Sequence, residues 1–146
     1  MLRYDKDKTM FEGMSKDAII IMDINCQGIM DIDNVHVKFK KMFPETMLML
    51  KPLFISGKMQ VGEIIETEEG GYTILLIVTR NARVGKLKDD DEVVVKNTLD
   101  IIKDIETRLG KKPVVSSVLN RDIGKAWPAA QMQIINSNLD WTIRVR

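Results

Sequence analysis

The stretch Ala18-Ile19-Ile20-Ile21-Met22-Asp23-Ile24-Asn25 limits what this chain can fold into more than any other. Isoleucine occupies positions 19, 20, 21 and 24. β-Branched side chains lose rotamer freedom in a helix but pack well on a pleated surface. The run is too short for a typical helix and does not alternate apolar with polar residues. It predicts a strand over Asp17–Asn25 that is buried on both faces, as in a parallel sheet. A polar tip follows, Asn25-Cys26-Gln27, then Gly28, then the acidic segment Asp31-Ile32-Asp33-Asn34. Strand, tip, loop and helix in that order build ligand crevices at the carboxyl ends of open α/β sheets.

The remaining segments supply partners for that strand. Leu2–Tyr4 reads as a short strand, and Met10, Phe11 and Met14 as core anchors in a polar segment broken by Gly13. Asp31–Asn34 can cap a helix over Asn34–Met42, with Val35, Phe39 and Met42 on one face. Phe43-Pro44 ends it, because the residue before a proline avoids the helical region. Glu45–Lys51 predicts a second short helix with Met47, Leu48 and Leu50 apolar, and Pro52–Ile65 predicts loop and strand. Glu66–Gly71 predicts a hairpin turn in which Gly70-Gly71 supplies positive φ. Tyr72–Val78 is strongly apolar and predicts a central strand.

Thr79–Asp91 is polar and reads either as a solvated loop or as an anion-binding rim built on Arg80, Arg83, Lys86 and Lys88. Glu92–Leu109 predicts the longest helix, with Val95, Leu99, Ile102, Ile105 and Leu109 as its core stripe. Gly110 and Pro113 stop it. Strands over Val114–Leu119 and Trp141–Val145 flank a helix over Trp127–Ser137 that carries Pro128 in its first turn. The order β, β, α, β, β, α, β, α, β predicts an α/β fold with a mixed, largely parallel sheet between helical layers. Right-handed crossovers then bring the loops after Asn25, Val78 and Leu119 to one sheet edge.

Composition narrows the function classes. The 146 residues predict one domain, 1–146. Lysine and arginine total 22 against 21 acidic residues, so a net charge of +1 offers no ground for non-specific nucleic-acid or membrane binding. Cys26 is the single cysteine, which excludes an internal disulfide and a thiolate metal cluster. His36 has no second ligand at metal spacing and is expected on the open face of its helix. No metal and no cofactor is expected. No apolar run approaches the roughly 20 residues of a membrane span, and no basic start precedes an apolar leader. The expected location is the cytoplasm.

Four motifs carry a family likeness: Asn25-Cys26-Gln27-Gly28-Ile29-Met30; Phe39-Lys40-Lys41-Met42-Phe43-Pro44; Thr79-Arg80 after the central strand; and Leu119–Lys125 ahead of Ala126-Trp127. With the order of elements they resemble a macro domain, the three-layer α/β/α fold that binds ADP-ribose. Within it, the chain is most similar to the small single-domain proteins that include the DNA ADP-ribosyl glycohydrolase antitoxins. The resemblance implies an ADP-ribose crevice lined by Asp7 at the adenine, Asn25, Gly28, Arg80 and Gly124, with Asp122 as the acid/base of a hydrolytic member.

The departures from that pattern bear on function. Asp31 and Asp33 stand where the family has loop glycines, which let backbone amides approach the pyrophosphate. Leu119-Asn120-Arg121 stands where the family has Gly-Cys-Gly. Arg80 replaces the lysine that the hydrolytic subgroup uses as nucleophile, and a guanidinium cannot shed its proton to act as one. The leading expectation is a binder of ADP-ribose or a related nucleotide with little or no catalysis. The alternatives are a glycohydrolase that removes ADP-ribose from a modified macromolecule, and a macro fold with a degenerate site that binds a protein partner.

Overall fold

A computed structural model describes residues 2–5, 15–28, 34–82, 85–109, 113–116, 127–137 and 140–144. Six strands and four helices are described: β1 (Leu2–Asp5), β2 (Ile19–Asn25), α1 (Asn34–Met42), α2 (Pro44–Ser56), β3 (Ile64–Glu69), β4 (Tyr72–Arg80), α3 (Asp91–Leu109), β5 (Pro113–Ser116), α4 (Trp127–Ile135) and β6 (Asp140–Arg144). The sheet order is β1-β6-β5-β2-β4-β3. All neighbours run parallel except the β3–β4 hairpin.

Every residue of β2 is buried, polar Asp23 and Asn25 included, as expected of a strand covered on both faces. Ile20, Met22 and Ile24 pack with Ile74, Leu76 and Val78 of β4 against Phe39 of α1, Phe43 between α1 and α2, and Leu50 of α2. Ile19 and Ile21 pack on the opposite face with Leu75 and Ile77, against Ile101, Ile102 and Ile105 of α3 and Ile134 of α4. The layers are therefore α1/α2, sheet, α3/α4. A side chain of this size contributes about 1.5–3 kcal/mol when fully buried, so the two faces of β2 and β4 dominate the hydrophobic stabilisation.

Several sequence expectations shift. Among the described side chains around α1, His36, Phe39 and Phe43 are buried and Met42 is exposed; that of Val35 lies outside the described ones. Helix α3 turns Val94, Thr98, Ile101, Ile102 and Ile105 inward, so its stripe is centred about one position from the expected one, with Val95 and Leu99 at the margin. Methionine serves partly as core filler at Met22 and Met59, but Met42, Met49 and Met132 face solvent.

Helix α2 runs one turn past Lys51, with Pro52 inside it. Pro52 is exposed, so its missing amide is not a buried loss, while Leu50 and Phe54 on either side hold the helix to the sheet. Gly57, at φ 68°, closes the helix in the left-handed conformation, its amide donating to Phe54 O at 3.4 Å. The expected turn over Glu66–Gly71 shrinks to Gly70-Gly71, at φ 61° and 81°. Positive φ at both central residues suits the twist of a two-residue hairpin, so Glu66–Glu69 are free to pair as β3.

Glu69 at the end of β3 caps a helix remote from it in sequence. Its Oε1 accepts the Thr46 amide at 2.6 Å and the Thr46 hydroxyl at 2.8 Å, and its Oε2 accepts the Glu45 amide at 3.4 Å. The residue preceding α2 is Phe43, which makes no side-chain cap. A carboxylate at a helix start satisfies free amides and complements the helix dipole. Replacing Glu69 with alanine is expected to cost about 1 kcal/mol, the size of a lost cap, and to lower Tm by roughly 2–4 °C, read by urea and thermal unfolding. An unchanged midpoint would mean that the cap carries no net stability.

Candidate functional site

Parallel strands β4, β2 and β5 are adjacent and end at the same sheet edge. The chain leaves β2 through α1 and α2 on one face, and leaves β4 through α3 on the other. A crevice forms where successive crossovers diverge in this way. The edge expected from the sequence is therefore present for β2 and β4. The loop after β5, with Leu119, Asp122 and Gly124, lies outside the described residues, as do Asp7, Asp31, Asp33, Arg83 and the segment holding Met10, Phe11 and Met14.

Three expected site residues meet at this edge. The β2–β4 register steps from Ile24↔Val78 to Asn25↔Arg80, so Thr79 is skipped and Arg80 stands beside Asn25. The Cys26 amide donates to Arg80 O at 3.2 Å, which fixes the tip of β2 to the end of β4. Gly28 closes the turn, its amide donating to Asn25 O at 3.2 Å. Asn25 is 1% exposed, and its Oδ1 accepts the Gln27 amide at 3.0 Å. That side chain shapes the loop, as asparagine commonly does through a local side-chain-to-backbone bond.

Gly28 adopts φ 73°, and a Cβ built there would lie 2.5 Å from Cδ2 of Phe54 on α2. Glycine is thus required twice, for the left-handed backbone and for the close approach of an aromatic ring. Gly28→Ala is expected to destabilise the fold by about 2 kcal/mol, combining backbone strain with the displaced ring. Combining it with Phe54→Ala should remove the steric part, giving a favourable coupling in a double-mutant cycle; strict additivity would refute the contact.

The loop after β4 is ordered by one of its own acids. Asp89 Oδ2 accepts the amides of Asn81 at 2.7 Å and Ala82 at 3.1 Å, and Oδ1 accepts Asn81 Nδ2 at 2.9 Å. Among the described residues of this loop, the Asn81 and Ala82 amides already bind a carboxylate and do not face an external anion. Lys86 and Lys88 are exposed. Asp90 begins α3 through its carbonyl, which accepts the amides of Val93 at 3.0 Å and Val94 at 3.1 Å. Asp89 is thus a loop clasp and not merely part of a solvated run.

His36 does not sit on the open face of α1. It is 1% exposed and lies against buried Asp23 of β2. Its Nε2 is 3.2 Å from Asp23 O and 3.8 Å from Asp23 Oδ1. The carbonyl can only accept, so the contact is a hydrogen bond when Nε2 carries the proton. The signal available in the sequence was an aspartate inside an apolar strand and a single histidine in the first turn of the next helix. Among the described residues no group of three or more His, Cys, Asp and Glu could hold a metal ion, and no helix is long and apolar enough to cross a membrane.

Cys26 is half-buried at the tip of β2. Burial, followed by the negative charges of Asp89 and Glu63, pushes its thiol above the ordinary range. Little thiolate forms at neutral pH, so the side chain suits packing better than nucleophilic attack. Alkylation by iodoacetamide should be slower than for an unfolded control at pH 7 and should accelerate at a higher pH than the control; a coincident pH–rate profile would contradict this.

No family model and no curated protein matches the sequence. Solved structures do match the fold. The macrodomain of Thermus aquaticus DarG aligns over 99% of this chain and 97% of its own, at TM-score 0.70 and 16% identity. The macrodomain of Mycobacterium tuberculosis DarG aligns over 99% and 97%, at TM-score 0.71 and 18% identity. Thermosipho africanus DarTG, solved in complex with ADP-ribose, aligns over 99% of this chain and 41% of its own, at TM-score 0.70 and 12% identity. The chain therefore has the macro-domain fold, with the layers and mixed sheet expected of it.

Proposed function

We propose that this chain binds ADP-ribose, or a nucleotide with the same diphosphate core, in the crevice at the carboxyl ends of β2, β4 and β5, with little or no turnover. The observation that carries this is the meeting of Asn25, Gly28 and Arg80 at one edge of a macro fold. The DarTG structure with ADP-ribose, which shares that fold, supports the choice of ligand. Arg80 supplies a permanent cation for a phosphate, and Gly28 supplies the tight turn that carries the chain from the strand end into the rim. Asp7 and Gly124 complete the site in this reading, at the adenine and the diphosphate respectively.

The same residues favour binding over hydrolysis. Arg80 occupies the position of the hydrolytic subgroup's lysine and cannot serve as an amine nucleophile. Asp122 is the residue we assign to acid/base work if turnover occurs at all. Degeneracy of the crevice, leaving a protein-binding module, is the reading to adopt if no nucleotide binds.

Calorimetry with ADP-ribose tests this directly. Binding with a Kd below about 100 µM is expected, weakened roughly tenfold by Arg80→Ala, as for loss of one charge-assisted hydrogen bond. Incubation with an ADP-ribosylated substrate should release no ADP-ribose. Absence of heat at millimolar ADP-ribose, with the protein shown to be folded, overturns the proposal. Release abolished by Asp122→Ala would replace binding with hydrolysis.

A further inference from the structure

Helix α2 turns apolar side chains to solvent. Leu48 and Ile55 are 71% and 76% exposed, and Met49 and Leu53 are 38% and 39% exposed. Thr46 and Leu50 are its buried positions. At about 100° per residue, the face opposite them is centred on Leu48, Pro52 and Ile55. Met49 and Leu53 follow along one margin, and exposed Lys51 stands on the other. A surface helix normally keeps that face polar. With a full residue area of about 200 Å² each, the four exposures amount to roughly 450 Å², within the range of the largest patch on a typical monomer and a mark of an interaction surface.

The charges bordering this face are mixed. Glu45 and the Glu69 carboxylate stand at the start of α2, a few residues after Lys40 and Lys41 of α1. Lys51 and Lys58 stand on its second half and just beyond its end. An anionic bilayer laid on this face would meet both carboxylates. A second copy of the chain, running the other way, can pair with them.

We propose that two copies of this chain associate through α2, packed antiparallel about a two-fold axis between Lys51 and Pro52. An isologous contact needs a patch that complements itself, and this one does so in a single register. Leu48 lies opposite the second copy's Ile55, and Ile55 opposite its Leu48. The same register sets exposed Glu45 level with the second copy's Lys58. Met49 and Leu53 meet their own copies along one margin. Lys51 approaches its own copy along the other, where exposed charges interact weakly through water. A standard interface buries about 800 Å² on each partner, about 65% of it apolar in homodimers, and this face supplies most of that apolar share. The association does not depend on what binds at the strand edge.

Sedimentation equilibrium of the full chain is expected to show a monomer–dimer equilibrium with a Kd at or below about 100 µM. Leu48→Glu and Ile55→Glu should each weaken it at least tenfold without moving the thermal midpoint, because both side chains already face water in the single chain. Met132→Glu, at an exposed methionine of α4, should leave it unchanged. Glu45→Lys should weaken the dimer, and adding Lys58→Glu to it should restore it, since the antiparallel register rebuilds the pair with its signs exchanged. The proposal fails if the folded chain stays monomeric at about 1 mM. It fails equally if Met132→Glu breaks the dimer and Leu48→Glu does not, or if the exchanged pair restores nothing. A monomer that co-sediments with phosphatidylglycerol vesicles would overturn it and assign the face to a membrane surface.

Discussion

Everything in this fold hangs on burying β2 from both sides. A strand with Ile19 and Ile21 on one face and Ile20, Met22 and Ile24 on the other cannot lie at a solvent boundary. It needs a helical layer above and another below, and its backbone groups need strands on either flank, which β4 and β5 provide. Those requirements drive the crossovers to opposite faces. The crossovers in turn leave a gap where β2 and β4 end, and the residues at that gap are Asn25 and Arg80. The candidate site is a by-product of solving the burial problem of seven residues.

The edge so created is already partly occupied by the protein's own groups. The Asn25 side-chain oxygen Oδ1 accepts the Gln27 amide, and Asp89 takes the amides of Asn81 and Ala82. Such internal bonds lower the conformational freedom of these residues, and a ligand bound at this edge as proposed would lose less entropy for it. They also set a threshold. A ligand oxygen aimed at the Asn81 and Ala82 amides has to displace a charged carboxylate held by three hydrogen bonds. A ligand that leaves Asp89 in place meets a negative charge at that rim.

The layers and the mixed sheet were legible in the sequence because they follow from apolar patterning. Runs such as Ile19–Ile24 and Ile74–Val78 admit few alternatives, and the bounds of α1 fell where its flanking residues implied. Legibility failed where a distant segment decided a local outcome. Pro52 is a helix breaker on local grounds, but contacts of Leu50 and Phe54 with the sheet carry the helix through it. His36 is polar and reads as exposed, yet the path of α1 over β2 sets it against the Asp23 carbonyl. The pairing of Asn25 with Arg80 depends on a one-residue register step that no pattern in either strand announces. Asp7, Asp122 and Gly124 rest on the family likeness alone.

The Glu69 cap has a meaning beyond the stability of α2. Glu69 lies at the last paired position of β3, opposite Tyr72. Side chains alternate across a strand, so slipping the hairpin by one residue would swing this carboxylate to the far side of the sheet. The Thr46 and Glu45 amides would then lose their acceptor. Strand alignment is thereby proofread by a helix start more than twenty residues earlier in the chain. The hairpin tip and the first turn of α2 form one cooperative unit, so that an error in either is felt by both.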